Sequence, residues 1–177
     1  MASNLAIAVS ELRKRVLVID CDMRRPGLHK MFGVEKEPGL SDLLRSDDPL
    51  DPQRLDRIMR KTSYPGLTLI PSGNFPDDIS YLLNSERLHQ LFTVFRERFD
   101  MVIVDSPPMM HSPDARILGK NSDGVIMVLR AGKTSFSSAY AVRQCLNHDA
   151  IPLLGTVLND WNAHEHKSYK AYRDYYS

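Results

Sequence analysis

Two segments constrain the fold of this chain more than any others: VLVID at 16–20 and MVIVD at 101–105, short apolar, β-branched runs that each end on an aspartate. Runs of this kind, without polar alternation, suit strands buried on both faces, as in a parallel sheet flanked by helices. The rest of the chain repeats the alternation of strand and helix. Residues 2–13 place Leu5, Ala6, Ala8, Val9 and Leu12 at helical spacing, and RVLVIDCD (15–22) follows as the first strand. Residues 24–39, with Pro26, Gly27, Gly33, Pro38 and Gly39, read as a loop with one helical turn. Residues 41–44 and 51–61 read as short helices, the second opened by Asp51 ahead of Pro52. A strand at 66–73 precedes a helix at 86–99, capped by Ser85, with Leu88, Leu91, Phe92 and Phe95 on one face. A strand at 100–108, a helix starting at Ser112–Pro113–Asp114, a strand at 124–132, a helix from Ser135 to His148 and a strand at 152–160 complete the pattern. This order predicts an α/β fold: an open, doubly wound, mainly parallel sheet with helices on both faces.

The 177 residues suit one compact domain over 1–160, followed by a polar, tyrosine-rich tail at 161–177. No internal repeat or long linker divides the chain. A net charge of +1 supplies no bulk attraction for nucleic acid. No apolar run approaches the roughly 18–20 residues that span a bilayer. The two cysteines, Cys21 and Cys145, make no disulfide framework, and the expected compartment is the reducing cytoplasm.

Ligands of such sheets sit beyond the carboxyl ends of the strands. Asp20 and Asp22 lie two apart at one strand end and share a face, and Asp105 ends another strand. A single aspartate at a strand end caps the turn that follows. Three that converge repel one another unless a cation or a proton offsets their charge. A Mg²⁺–nucleotide phosphate complex meets that need, because Mg²⁺ takes oxygen ligands and keeps waters that carboxylates can hold.

VLVIDCDMRRP (16–26) resembles the Walker A′ motif of bacterial tyrosine kinases, an apolar run followed by Asp-x-Asp-x-Arg, and MVIVDSPP (101–108) resembles their Walker B motif. NLAIAV (4–9), LIPSG (69–73), VLRAGKTS (128–135), GTVLN (155–159) and the tyrosine-rich terminus follow in the order of that family. The resemblance implies a P-loop NTPase-like fold of the ParA/MinD type and phosphoryl transfer from ATP, with Mg²⁺, to protein tyrosine. Partition and cell-division ATPases share the fold, but Asp-x-Asp-x-Arg, Asp-x-Pro-Pro and the tail set this chain apart from them. By resemblance Asp20 activates the tyrosine hydroxyl, and Asp22 and Asp105 hold Mg²⁺ directly or through water. The sequence leaves the roles of Asp20 and Asp22 interchangeable. Arg24 and Arg25 are placed to contact phosphate or a neighbouring subunit, or are solvated cations. Asn159 is placed near the adenine base, or caps a turn.

Tyr169, Tyr172, Tyr175 and Tyr176 crowd the last nine residues. The resemblance makes them the autophosphorylated cluster of a ring-like homo-oligomer. Their alternative is an amphipathic terminal helix, since 169, 172 and 176 share a helical face. The family acts in capsule and exopolysaccharide synthesis. It implies a membrane-embedded chain-length or export protein as partner, with an activating cytoplasmic segment that would hold this chain at the inner membrane face. A non-catalytic module phosphorylated by a complete kinase is the reading from another class.

Three local strings are set aside. His164–Glu165–His166 lacks further metal ligands. Cys21 sits between carboxylates that raise a thiol pKa. Gly132–Lys133–Thr134 lacks the glycine loop that precedes a Walker A lysine. No Gly-x-x-x-x-Gly-Lys-Ser/Thr string occurs in the 177 residues, whereas in the family such a loop immediately precedes the helix bearing Asn-Leu-Ala, here Asn4–Leu5–Ala6. The expectation is a chain that lacks the phosphate-binding loop and the strand feeding it, as the carboxyl part of a complete kinase or as a short paralogue. Residues 75–83 also depart from the family's proline- and asparagine-rich turn before Glu-Leu-Leu.

Overall fold

A computed structural model describes residues 1–161. The chain forms two compact units, Met1–Ser122 and Asp123–Ser177. In the first unit the central strand is β1 (Val16–Asp20). It pairs in parallel with β3 (Leu67–Ile70) on one side and with β4 (Met101–Asp105) on the other. A two-residue strand, β2 (Arg60–Lys61), adds antiparallel to β3, so the order is β2-β3-β1-β4.

Side-chain alternation along β1 splits the core between the two faces of the sheet. Leu17 and Ile19 join one apolar cluster, and Val16 and Val18 join the other; all four are fully buried. The first face is covered by α3 (Leu40–Arg45), α4 (Pro52–Ile58), α5 (Ile79–Leu83) and α6 (Glu86–Arg98), with Leu118 of α7 (Asp114–Lys120). The second face is covered by α1 (Ala2–Ser10) through Ala6 and by α2 (Leu28–Phe32) through Leu28. Helices thus cover both faces of a mainly parallel sheet, as the unbroken apolar strands predict.

The second unit holds β5 (Val125–Arg130), α8 (Phe136–His148) and β6 (Leu153–Asn159), with β5 and β6 parallel. Ser135 caps α8 by accepting from the Ser138 amide, as Asp51 caps α4 by accepting from the Arg54 amide. Ser85 occupies the cap position of α6 but makes no capping bond; its hydroxyl donates instead to the Leu82 carbonyl at 2.6 Å. The helix read over 51–61 ends at Ile58, because Arg60 and Lys61 pair with β3. Gly132–Lys133–Thr134 is a turn closed by the Arg130 amide donating to Thr134 Oγ1 at 2.9 Å.

Two packing constraints govern the first unit. Phe95 is fully buried on α6 within the larger cluster. Gly39 passes so close to the chain after β3 that a Cβ there would stand 2.2 Å from the Gly73 amide nitrogen and 2.4 Å from the Pro71 carbonyl oxygen. Phe95→Ala is expected to cost about 3–5 kcal/mol of unfolding free energy. Tyr81→Ala, at a side chain 74% exposed on α5, should cost less than about 0.5 kcal/mol. Urea unfolding followed by circular dichroism checks both.

Candidate active site

Parallel pairing of β1 with β4 runs in register from Val16 opposite Met101 to Asp20 opposite Asp105. The two aspartates therefore end neighbouring strands at one level, on one edge of the sheet. The ladder continues one step further, with the Cys21 amide donating to the Asp105 carbonyl at 2.9 Å.

Asp20 is fully buried. Its Oδ2 accepts from the amides of Gly27 (3.1 Å) and Leu28 (3.0 Å), which ties the loop after β1 to the start of α2. Its Oδ1 is buried with no hydrogen-bond partner. Burial pushes the Asp20 carboxyl up, against the pull of the Leu28, Gly27 and Asp22 amides, and the charge of Asp22 adds to the rise. Asp105 is pushed up to about 6, chiefly by burial and then by Asp20; the Met1 ammonium partly offsets this, and Asp22 adds to it. Asp22 is half-buried, and its Oδ1 accepts from the Arg25 amide at 3.0 Å. The turn-capping role open to strand-end aspartates is thus real for one oxygen each of Asp20 and Asp22. It leaves Asp20 Oδ1 without a partner and the Asp105 charge only partly offset.

That imbalance fits a hydrated divalent cation. The donors are hard oxygens, one of them orphaned, and a carboxyl is pushed up to about 6 by burial and then by its neighbouring acids, a rise that a cation would oppose. Among the described residues no three His, Cys, Asp or Glu side chains are spaced as a ready-made metal cage. Mg²⁺ does not need one, since it is ordinarily held by one or two carboxylates together with waters and substrate phosphates.

Arg24 does not stand alone. Its Nε donates to Oδ2 of Asp114 at 3.3 Å, and Asp114 is fully buried at the start of α7. The sequence marks Asp114 only as part of a helix start; nothing in its spacing signals a buried carboxylate. Asn159 closes β6 in the second unit, where its carbonyl accepts from the Ala131 amide at 2.8 Å. Tyr169, Tyr172, Tyr175 and Tyr176, like His164–Glu165–His166, lie outside the described residues. The Cys21 thiol is pushed well up, by burial first and then by Asp20 and Asp105, which removes it as a nucleophile at neutral pH.

The AAA domain family matches residues 1–148. The tyrosine-protein kinase YwqD of Bacillus subtilis is 32% identical over 171 residues, an alignment that covers 97% of this chain and 70% of YwqD. The solved kinase domain of the Escherichia coli tyrosine kinase ETK superposes with a TM-score of 0.82 at 31% identity, over 89% of this chain and 60% of that one. The septum site-determining protein MinD from Pyrococcus horikoshii, complexed with Mg-ADP, gives a TM-score of 0.71 at 20% identity, over 89% of this chain and 62% of that one, a likeness of fold alone. The chain spans about a fifth of the length of its relatives in Ralstonia nicotianae, Acinetobacter johnsonii and Salmonella typhimurium, 20–21% in each. A family match over most of the chain and a kinase relative aligned along most of both lengths show that this α/β, P-loop NTPase-like chain belongs to the AAA domain family and, within it, to the bacterial tyrosine-protein kinases.

Proposed function

We propose that this chain carries the catalytic carboxylates of an ATP-dependent protein-tyrosine kinase, which phosphorylates its own terminal tyrosines Tyr169, Tyr172, Tyr175 and Tyr176 and acts in capsule or exopolysaccharide synthesis and export. The observation that carries the reading is the in-register pair Asp20–Asp105, with one buried oxygen unpartnered and one carboxyl near 6. When bound, Mg²⁺ with ATP supplies the positive charge that offsets the β- and γ-phosphates as the phosphoryl group moves. Asp105 is one of its holders. The full burial of Asp20 beside Asp105 supports a second holding role for Asp20, acting directly or through water. The half-exposed Asp22 would hold the same cation through water and is the more accessible of the pair to accept the proton of an incoming tyrosine hydroxyl.

The 177 residues hold no Gly-x-x-x-x-Gly-Lys-Ser/Thr string to cradle the phosphates. The full reaction is therefore proposed for a protein that supplies that cradle. The same observation favours a second reading, in which this chain alone is a phosphoacceptor for a complete kinase. Among the described residues no helix is long and apolar enough to cross a membrane. A membrane-embedded chain-length or export protein is the proposed partner, holding a homo-oligomer at the cytoplasmic face of the membrane.

Mapping phosphotyrosine by mass spectrometry after incubation with Mg·ATP tests the catalytic reading. It should be done on this chain and on the longest reading frame that contains it. A form that binds ATP should be labelled within 169–176, and Asp105→Asn or Asp22→Asn should lower labelling by roughly 10²-fold or more. Labelling of the chain only when a separate kinase is added would support the phosphoacceptor reading.

The raised carboxyls set a second expectation. Asp105 keeps its proton in the folded chain up to about pH 6. An unfolded aspartate releases its proton near about pH 3.9. The folded state therefore binds more protons between those values, so this group's contribution to stability falls as pH rises from about 4 to 6 and then levels off. Asp20 acts in the same direction. Asp105→Asn should melt above the parent at pH 7.5 and together with it near pH 4, and added Mg²⁺ should raise the parent but not the variant. Thermal melting from pH 4 to 8 measures this.

A further inference from the structure

The loops that carry the carboxylates meet at one buried side chain away from the strand ends. The loop after β1 bears Asp22 and Arg24, and the loop after β4 starts at Asp105 and delivers Asp114 to the start of α7. Arg24 Nε donates to Asp114 Oδ2, and the Asp114 side chain is only 1% exposed. The other carboxylate oxygen, Oδ1, accepts from Ser80 Oγ at 2.6 Å; Ser80 belongs to α5, which the chain reaches on leaving β3. The Asp114 amide donates to Ser112 Oγ at 3.2 Å. Segments leaving the carboxyl ends of all three parallel strands of this unit are therefore joined through Asp114.

We infer that Asp114 is a positioning residue for the candidate magnesium site: through Arg24 it holds the 21–27 loop so that Asp22 stays in place beside Asp105. The inference rests on the reading of Asp20, Asp22 and Asp105 as that site. Asp22 sits outside regular structure, and its Oδ1 is tied to an amide three residues along the same loop. The base of the loop is fixed by Asp20 Oδ2 on Gly27 and Leu28. The Arg24–Asp114 pair fixes its outer part to a different element, two residues from Asp22.

Arg24 cannot leave this contact for a phosphate without stranding a buried carboxylate, which is unfavourable in a low-dielectric interior. Burial works to neutralise Asp114, but the hydrogen bonds from Ser112 and Ser80 and the charge of Arg24 outweigh it and hold the carboxyl below the usual carboxylate range. Arg24 is thus part of the scaffold of the carboxylates. Ser80 lies in the very segment, 75–83, where the chain departs from the family pattern, and it supplies the shortest of these contacts.

Binding of Mn²⁺ alone, without nucleotide, tests the inference. Free Mn²⁺ is counted by electron paramagnetic resonance with the 177-residue chain at 10 °C, and circular dichroism verifies folding of each variant. Loss of a group that orients metal ligands ordinarily weakens metal affinity about 10–100-fold. Asp114→Asn and Arg24→Gln should each weaken Mn²⁺ binding within that range, and Arg24→Lys, which keeps the charge, should recover most of it. A role confined to fold stability would lower the melting temperature of Asp114→Asn and leave Mn²⁺ affinity unchanged in the folded protein, overturning the inference. Arg24→Gln with parental affinity would equally overturn it, because a pure phosphate contact is silent without nucleotide. Asp105→Asn serves as the reference. If it abolishes binding while Asp114→Asn and Arg24→Gln do not weaken it, the positioning role fails and the carboxylate site stands. If it leaves binding unchanged, the site itself fails.

Discussion

The structure of the first unit depends on one interaction, the in-register parallel pairing of β1 with β4. That ladder places Asp20 and Asp105 side by side at one sheet edge. Their proximity follows from the fold and opposes it electrostatically, because two carboxylates with little water between them disfavour each other's charge. The rest of the unit holds the pair in spite of this. Leu17 and Ile19 press toward α3–α6, Val16 and Val18 toward α1 and α2, and a strand buried on both sides has no freedom to shift its register by a residue. The opposition between the two acids is the property that a divalent cation with phosphate can turn into binding.

Around the pair, the polar contacts divide into those that shape loops and those left over. Asp20 Oδ2, Asp22 Oδ1 and both Asp114 oxygens are committed to amides, hydroxyls or Arg24. Asp20 Oδ1 is not, and Asp105 carries a raised carboxyl. Away from the site, at the other end of β1, Arg15 and Asp100 show the opposite behaviour. Hydrogen bonds from the Arg15 side chain and amide hold the Asp100 carboxyl at about 2 on an exposed surface. A satisfied acid and an unsatisfied one thus lie at opposite ends of the same ladder, and only the unsatisfied end has a reason to bind a cation.

Much of this was legible in the sequence, and for physical reasons. β1 announces itself because a strand buried on both faces carries a continuous apolar run, β4 carries the same pattern although it is only half-buried, and Asp51–Pro52 and Ser135 mark helix starts because their chemistry is local. Ser85 has the same residue type in the same place yet spends its hydroxyl on Leu82, a choice made by the preceding turn. β2 left no trace, since two residues of Arg and Lys carry no strand pattern and owe their pairing to β3. Asp20 and Asp105 were legible as strand ends, whereas Asp22, read as continuing the first strand, lies in the loop after it because β1 ends at Asp20. Asp114 and Ser80 were not, because their partners lie 90 and 34 residues away and no local spacing encodes such a contact.

Everything proposed for this chain rests on Asp20, Asp22 and Asp105 acting together as a cation site. Paramagnetic broadening of backbone amide signals by substoichiometric Mn²⁺ tests it most directly, because the effect is local and needs no catalysis. Signals from residues 20–22 and 105–106 should disappear first, and Asp105→Asn should preserve them. Broadening centred elsewhere in the chain, or identical in the parent and the variant, would contradict it.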